Sequence, residues 1–219
     1  YNGGYESRDT DYPSFLYRVK TELGLSTAAS IQWSDIWDIL EPEVADSTGT
    51  GDMETVADTM ADQLRSGSHA VHFVHLDDVD GAGHSVGYLA VEDGYRDVVI
   101  EVDGMVGALL DAVLDRPEIA TEHWMVVLTA DHGGDAWGSH GTMSADYQII
   151  PLVIASPGFD RFELEDGEGS HMDVHPTVID FLGLDSLSYG LNGRSWWQRE
   201  RDCEDGSDDD DDGLMDCED

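Results

Sequence analysis

An α/β fold, with a mostly parallel central sheet and helices on both faces, follows from three features of the sequence. Apolar runs at 69–76, 123–130 and 149–155 have the length and bounded form of sheet strands. Segments with helical apolar spacing separate such runs, and alternation of this kind favours parallel strands. Two of the runs empty into loops of aspartate, glycine and histidine, and open α/β sheets bind ligands just past the carboxyl ends of their strands.

Taken in order, residues 1–11 are a polar loop. The chain starts on Tyr1, and YNGGYESRDTDYP reads as a loop entered midway, so a fragment or processed product with a fold incomplete at the N-terminus is expected. Pro13 sits where it can open a helix, Phe15, Leu16, Val19 and Leu23 have helical spacing, and Gly24 is a stop. TAASIQW, 27–33, reads as a short strand. Ser34 caps a short helix over DIWDIL, halted at Glu41–Pro42, and 43–51 is loop. Asp52 caps a helix with Val56, Met60 and Leu64 on one face and Gly67 at its end. Strand 69–76 follows, then an acidic glycine-rich turn. A long helical pattern runs from about Gly87 to Arg116, striped by Val98, Val102, Val106, Leu109, Leu110 and Val113. HWMVVLTA, 123–130, reads as a strand buried on both faces, and IIPLVIA, 149–155, as another that stops at Ser156–Pro157–Gly158. Asp173 opens a last helix through Thr177, Val178, Phe181 and Leu182, ended by Gly183.

The net charge is -38, from 48 acids against 10 bases, with Lys20 the only lysine. The last eighteen residues hold 11 of those acids, so the body is strongly acidic too. Such a surface repels nucleic acid and anionic membranes. There is no run of about 18 apolar residues to span a membrane.

The two strand-end loops are DVDGAGH, 78–84, and DHGGDAWGSHG, 131–141. Carboxylates and imidazoles ligate zinc, and also manganese and iron. Asp80 and His84 lie four apart in a glycine-rich turn, Asp131 and His132 are adjacent, and His140 returns eight residues later. Five ligands exceed one tetrahedral site and suit two ions that share a substrate. Asp77 and Asp78 are weaker candidates than Asp80, which is better placed relative to Gly83–His84. His69, His72, His75 and His123 read as structural or exposed, and Asp135 as solvating its loop. His171 and His175 flank a helix start, and His175 could equally line the mouth of the site.

DVDGAGHSVG fits the Asp-x-x-Gly-His-x-x-Gly pattern of the type I phosphodiesterase/nucleotide pyrophosphatase group of the alkaline phosphatase superfamily, and the chain resembles that group. TADHGGDAWGSHGTMSADYQIIPLVIASPG is similar to the superfamily's later metal motif, DVHPTVIDFLGL to a helix near its end, and YGLNGRSW to its closing segment. The resemblance covers roughly residues 10–197 and implies an alkaline phosphatase-like catalytic domain over 1–198. It implies two zinc ions (or manganese or iron), one held by Asp80, His84 and His140 and the other by Asp131 and His132. It also implies hydrolysis of a small phosphate ester, with one ion activating a threonine or serine nucleophile and the other binding a phosphoryl oxygen. Neither that nucleophile nor the family's first-strand aspartate has a match here, since Ser7 and Thr10 lack the context. No catalytic nucleophile is therefore assigned, and this chain alone is expected to be inactive. Two rivals remain: a sulfatase of the same superfamily, and a non-catalytic secreted calcium-binding surface module.

Residues 199–219 form a separate acidic extension. Asp208, Asp210, Asp212 and Asp216, with Gly213, have the alternating spacing that wraps Ca²⁺ in oxygens, although a solvated charge run has the same composition. The stretch also looks like thrombospondin type-3 calcium repeats, which implies that the bracketing Cys203 and Cys217 pair. A disulfide places the protein in an extracellular, cell-surface or periplasmic compartment.

Overall fold

The computed structural model describes residues 13–67, 69–141, 145–157, 167 and 169–197. The tail residues Cys203, Asp208, Asp210, Asp212, Asp216 and Cys217 lie outside the described residues. The chain divides into two compact units, the first reaching Trp124 and resuming over Ala130–Pro151, the second made of Met125–Thr129 and the chain from Leu152.

In the first unit, α1 (Phe15–Glu22) starts where the Ser14 hydroxyl accepts from Tyr17 N, and it buries Leu16 and Val19. Strand β1 (Thr27–Ile31) is buried along its whole length. After the short α2 (Ile36–Ile39) comes β2 (Ser47–Thr50), within a stretch whose sequence reads as loop. Helix α3 (Met53–Ser66) has the ends its sequence predicts, with Asp52 accepting from Thr55 N and Gly67 left-handed at φ 75°. Strand β3 (Val71–His75) completes a three-stranded parallel sheet of order β2-β1-β3, with Thr27 opposite Val71 and Ile31 opposite His75.

Alternation along the strands gives that sheet two apolar faces. Ala28 and Val74 pack with Met60, Ala61 and Leu64 of α3, and with Ala112 and Val113 of the long helix described next. Ser30, opposite Val74, donates to the Val56 carbonyl of α3. Phe73 belongs to the other face, where its ring meets Phe15 of α1 edge-on at 6.5 Å. Helices therefore cover both sides of a parallel sheet.

The glycine-rich stretch after β3 is a helix, α4 (Asp78–Val86), rather than the turn its composition suggests. The Asp77 carbonyl accepts from Asp80 N and Gly81 N, and the acidic first turn suits the positive end of the helix. Helix α5 (Asp93–Leu114) turns its valine stripe inward, from half-buried Val98 and Val102 to buried Val113. Its start is six residues later than the sequence pattern suggests.

In the second unit, β4 (Val126–Thr129) pairs antiparallel with β5 (Leu152–Ala155), Val126 opposite Ala155. This corrects two expectations: the ladder is antiparallel, and β4 is half-buried instead of enclosed on both faces. Between them in sequence, and belonging to the first unit, is the short α6 (Ala145–Gln148). Helix α7 (Val174–Phe181) follows a 3-10 turn in which Ser170 and Asp173 cap each other. Asp173 also accepts from Arg194 N and from Trp196 Nε1, so a buried carboxylate fastens the closing segment to the helix start. Among the described residues no helix is long and apolar enough to cross a membrane.

Candidate metal centre

Helix α4 puts Asp80 and His84 one turn apart on one face, because residues i and i+4 are neighbours on a helix. His84 Nε2 lies 3.3 Å from Asp80 Oδ2. From the loop after β4, His140 brings Nε2 to 3.0 Å from His84 Nε2 and 3.7 Å from Asp80 Oδ1. One donor atom from each of Asp80, His84 and His140 falls within 4.8 Å of the other two, which is the spacing of a ligand set around an ion.

The imidazoles are oriented for ligation. His84 Nδ1 donates to the Gly138 carbonyl at 2.8 Å, and His132 Nδ1 donates to the Gly133 carbonyl at 3.0 Å. A ring held by Nδ1–H presents the Nε2 lone pair outward, as metal-binding histidines do. Burial, aided by the neighbouring His132, lowers the His140 pKa and so favours the neutral ring that a ligand must be. Two Nε2 atoms and a carboxylate oxygen thus converge on one point, and a divalent cation fits their chemistry.

The other two candidates are close by. The His132 ring stacks on His140 at 3.9 Å, with Nε2 at 4.0 Å from Asp80 Oδ1 and 3.6 Å from Asp131 Oδ2. Asp131 is largely exposed and also accepts from His132 N. All five sequence-predicted residues therefore gather in one cluster, with Asp80 at its hub. Asp78 turns away, taking a hydrogen bond from Gln32 Nε2, while Asp77 N donates to Gln32 Oε1 at 2.6 Å. His72 and His75 lie on β3, and burial is the main cause that lowers both their pKa values.

Two residues matter more than their sequence context suggests. Asp135 holds the ligand loop in shape instead of merely solvating it: its carboxylate accepts from Trp137 N at 2.8 Å, Ser139 N at 3.0 Å and the Tyr147 hydroxyl at 2.7 Å. That turn brings in Gly138 at φ 75°, where a Cβ would stand 2.8 Å from the His84 carbonyl and 2.9 Å from that of Gly83. Tyr88, directly after the Gly87 of the first motif, donates its hydroxyl to Asp80 Oδ1. Burial and the Asp80 carboxylate raise its pKa, so it is a donor at neutral pH. In the sequence Tyr88 is marked only by its place directly after the glycine-rich first motif.

A sequence model of the metalloenzyme superfamily matches residues 31–186. A GPI ethanolamine phosphate transferase 1 from Yarrowia lipolytica is 35% identical over 116 residues, 52% of this chain and 12% of that protein. The multifunctional alkaline phosphatase superfamily protein PehA of Trinickia caryophylli is 30% identical over 133 residues, 56% of this chain and 24% of that protein. The chain thus spans a quarter or less of the length of these two relatives. Among solved structures, the phosphoglycerate mutase of Leishmania mexicana, crystallised at low cobalt concentration, shares the fold with a TM-score of 0.53 at 17% identity, over 78% of this chain and 37% of that one. With well over half its length under the family model, and with Asp80, His84 and His140 of the cluster inside the matched range, the chain belongs to the metalloenzyme superfamily.

Proposed function

We propose that the protein is a phosphoric ester hydrolase of the phosphodiesterase/nucleotide pyrophosphatase type, working with two zinc ions. Asp80, His84 and His140 hold one ion, and Asp131 with His132 contributes to the other. The observation that carries this reading is the convergence of the Asp80, His84 and His140 donor atoms on one point, with the His84 ring fixed by a backbone carbonyl. The Asp-x-x-Gly-His-x-x-Gly pattern over Asp80–Gly87 supports the phosphodiesterase type, and a relative named as a phosphate transferase supports chemistry at phosphorus. Bound ions would supply Lewis acidity for the phosphoryl oxygen and for a threonine or serine hydroxyl that this reading takes from outside the present sequence. Asp80 and Asp131 reduce the positive charge of the ion pair, which favours a monoanionic diester over a dianionic monoester.

The test is turnover by the full-length protein loaded with Zn²⁺ or Mn²⁺. Faster hydrolysis of bis-p-nitrophenyl phosphate than of p-nitrophenyl phosphate is expected. A faster monoester reaction overturns the diester preference, and bound metal without hydrolysis of either compound overturns the phosphoric ester hydrolase. Turnover of p-nitrophenyl sulfate alone would identify a sulfatase instead.

For residues 199–219 the same reading takes a Ca²⁺ loop from Asp208, Asp210, Asp212 and Asp216, closed by a Cys203–Cys217 disulfide in an exported protein, on the strength of their spacing. Calorimetry of the oxidised chain is expected to show Ca²⁺ binding that disappears when 199–219 is deleted. Equal heats from both forms would reduce the segment to a solvated charge run.

A further inference from the structure

Tyr88 occupies the space between the two ligand loops. Its ring faces Gly83 of α4 on one side and Gly134 of the second loop on the other, and a Cβ on either glycine would run into that ring. Its backbone N–H donates to the Asp135 carbonyl at 2.9 Å, which ties the residue to the loop that carries His140. Edge-on rings surround it, with His84 at 5.9 Å, Tyr95 of α5 at 5.8 Å and His140 at 6.3 Å. Its hydroxyl reaches Asp80 Oδ1, the oxygen that His140 Nε2 approaches at 3.7 Å, while Oδ2 faces His84 Nε2 at 3.3 Å. One side chain therefore touches a ligand from each loop and the backbone glycines that let the loops approach.

We propose that Tyr88 is a positioning residue of the metal centre: its ring sets the spacing of the loops that carry Asp80, His84 and His140, and its hydroxyl fixes the rotation of the Asp80 carboxylate between His84 and His140. This rests on the metal-centre reading above. It also explains why glycine stands at 83 and at 134. Both leave a slot for one ring, and a methyl group at either would push Tyr88 off Asp80. Groups that hold a ligating carboxylate by a hydrogen bond typically change metal affinity by roughly ten- to a hundredfold when removed.

Tyr88→Phe keeps the ring and removes the hydroxyl. The full chain, wild type and variant, is titrated with Co²⁺, following the visible d–d absorption, and each metal-free form is melted. The variant is expected to melt within a few degrees of wild type, to bind Co²⁺ about tenfold more weakly, and to shift the d–d bands, because the Asp80 carboxylate turns. Gly134→Ala, which alters no ligand, is expected to weaken Co²⁺ binding in the same way and carries the test if Tyr88→Phe does not fold. Unchanged affinity and unchanged bands in the folded variants overturn the role of Tyr88 while leaving the metal centre standing. Failure of the wild-type chain to take up Co²⁺ is the distinct result that overturns the centre itself.

Discussion

Asp80→Asn is expected to weaken Zn²⁺ or Co²⁺ binding by roughly two orders of magnitude or more, whereas Asp78→Asn leaves it within about threefold. The difference comes from position, since both aspartates follow the same strand and differ by two places in sequence. Asp80 is the one carboxylate of the Asp80, His84 and His140 set, and it also approaches His132 at 4.0 Å. Zinc held by four protein ligands gains roughly 10–16 kcal/mol in small domains, so one charged ligand accounts for about 3 kcal/mol, which is about a hundredfold in affinity. Asparagine keeps the size of the side chain and an oxygen for Tyr88 to donate to, but not the charge. Asp78 faces Gln32, and its loss removes only a more distant negative charge. Equilibrium titration against a chelator of known affinity reads both variants. Equal losses in the two would mean that the acidic segment binds cations diffusely and that Asp80 is no ligand.

What the sequence revealed of this arrangement depended on how much local pattern each element carries. Helix α3 was readable at both ends because Val56, Met60 and Leu64 repeat on one face and Asp52 and Gly67 are local start and stop signals. Strand β2 was not, because Ser-Thr-Gly-Thr has no apolar alternation, and it is a strand through its pairing with β1. Gly49 shows the long-range reason for its composition, since Ser30 and Thr59 side chains already fill the place a Cβ would take. Over 77–87, three acids and three glycines read as a turn, but helix α4 within that stretch is supported by packing that local propensity does not register, notably the Tyr88 ring over Gly83. The residue types for a metal centre were legible because aspartate and histidine beside glycine at two strand ends are unusual together. The residues that shape the centre were not: Tyr88 has no periodic partner, and Asp135 resembles any solvated loop aspartate until its three donors are seen. The antiparallel sense of β4 and β5 was equally hidden, because an apolar run carries no direction.

Arg116→Met is expected to cost about 3 kcal/mol of stability. The guanidinium is buried, and its Nε and one terminal nitrogen each reach Glu122 at 2.5 Å. The other terminal nitrogen donates to the Leu64 carbonyl, one of the acceptors left open at the end of α3. The group also stands over the Trp124 ring at 4.9 Å, and Trp124 Nε1 donates to the same Glu122 carboxylate at 2.9 Å. Methionine fills the volume but strands a partly buried carboxylate and a helix-end carbonyl; breaking a fully buried pair costs roughly 3–5 kcal/mol, and the partial exposure of Glu122 puts this loss at the low end of that range. Replacing Glu122 as well, in Arg116→Met/Glu122→Gln, is expected to recover part of the loss, because no unpaired charge then remains. Acid acts on the same cluster. Arg116 holds Glu122 down to about 2, so the stability from that carboxylate is full above its ordinary value of 4.5 and is lost as pH falls from there toward 2. Burial, with His69 and Arg116 nearby, lowers the neighbouring His72 to about 4, so its contribution is full above 6.5 and is lost as pH falls from there toward 4. Wild-type melting temperature is therefore expected to fall in two overlapping stages below pH 6.5. His72→Phe should flatten the upper stage and Arg116→Met/Glu122→Gln the lower, and a double mutant whose acid profile parallels wild type below pH 4.5 would show that this ion pair does not govern acid unfolding.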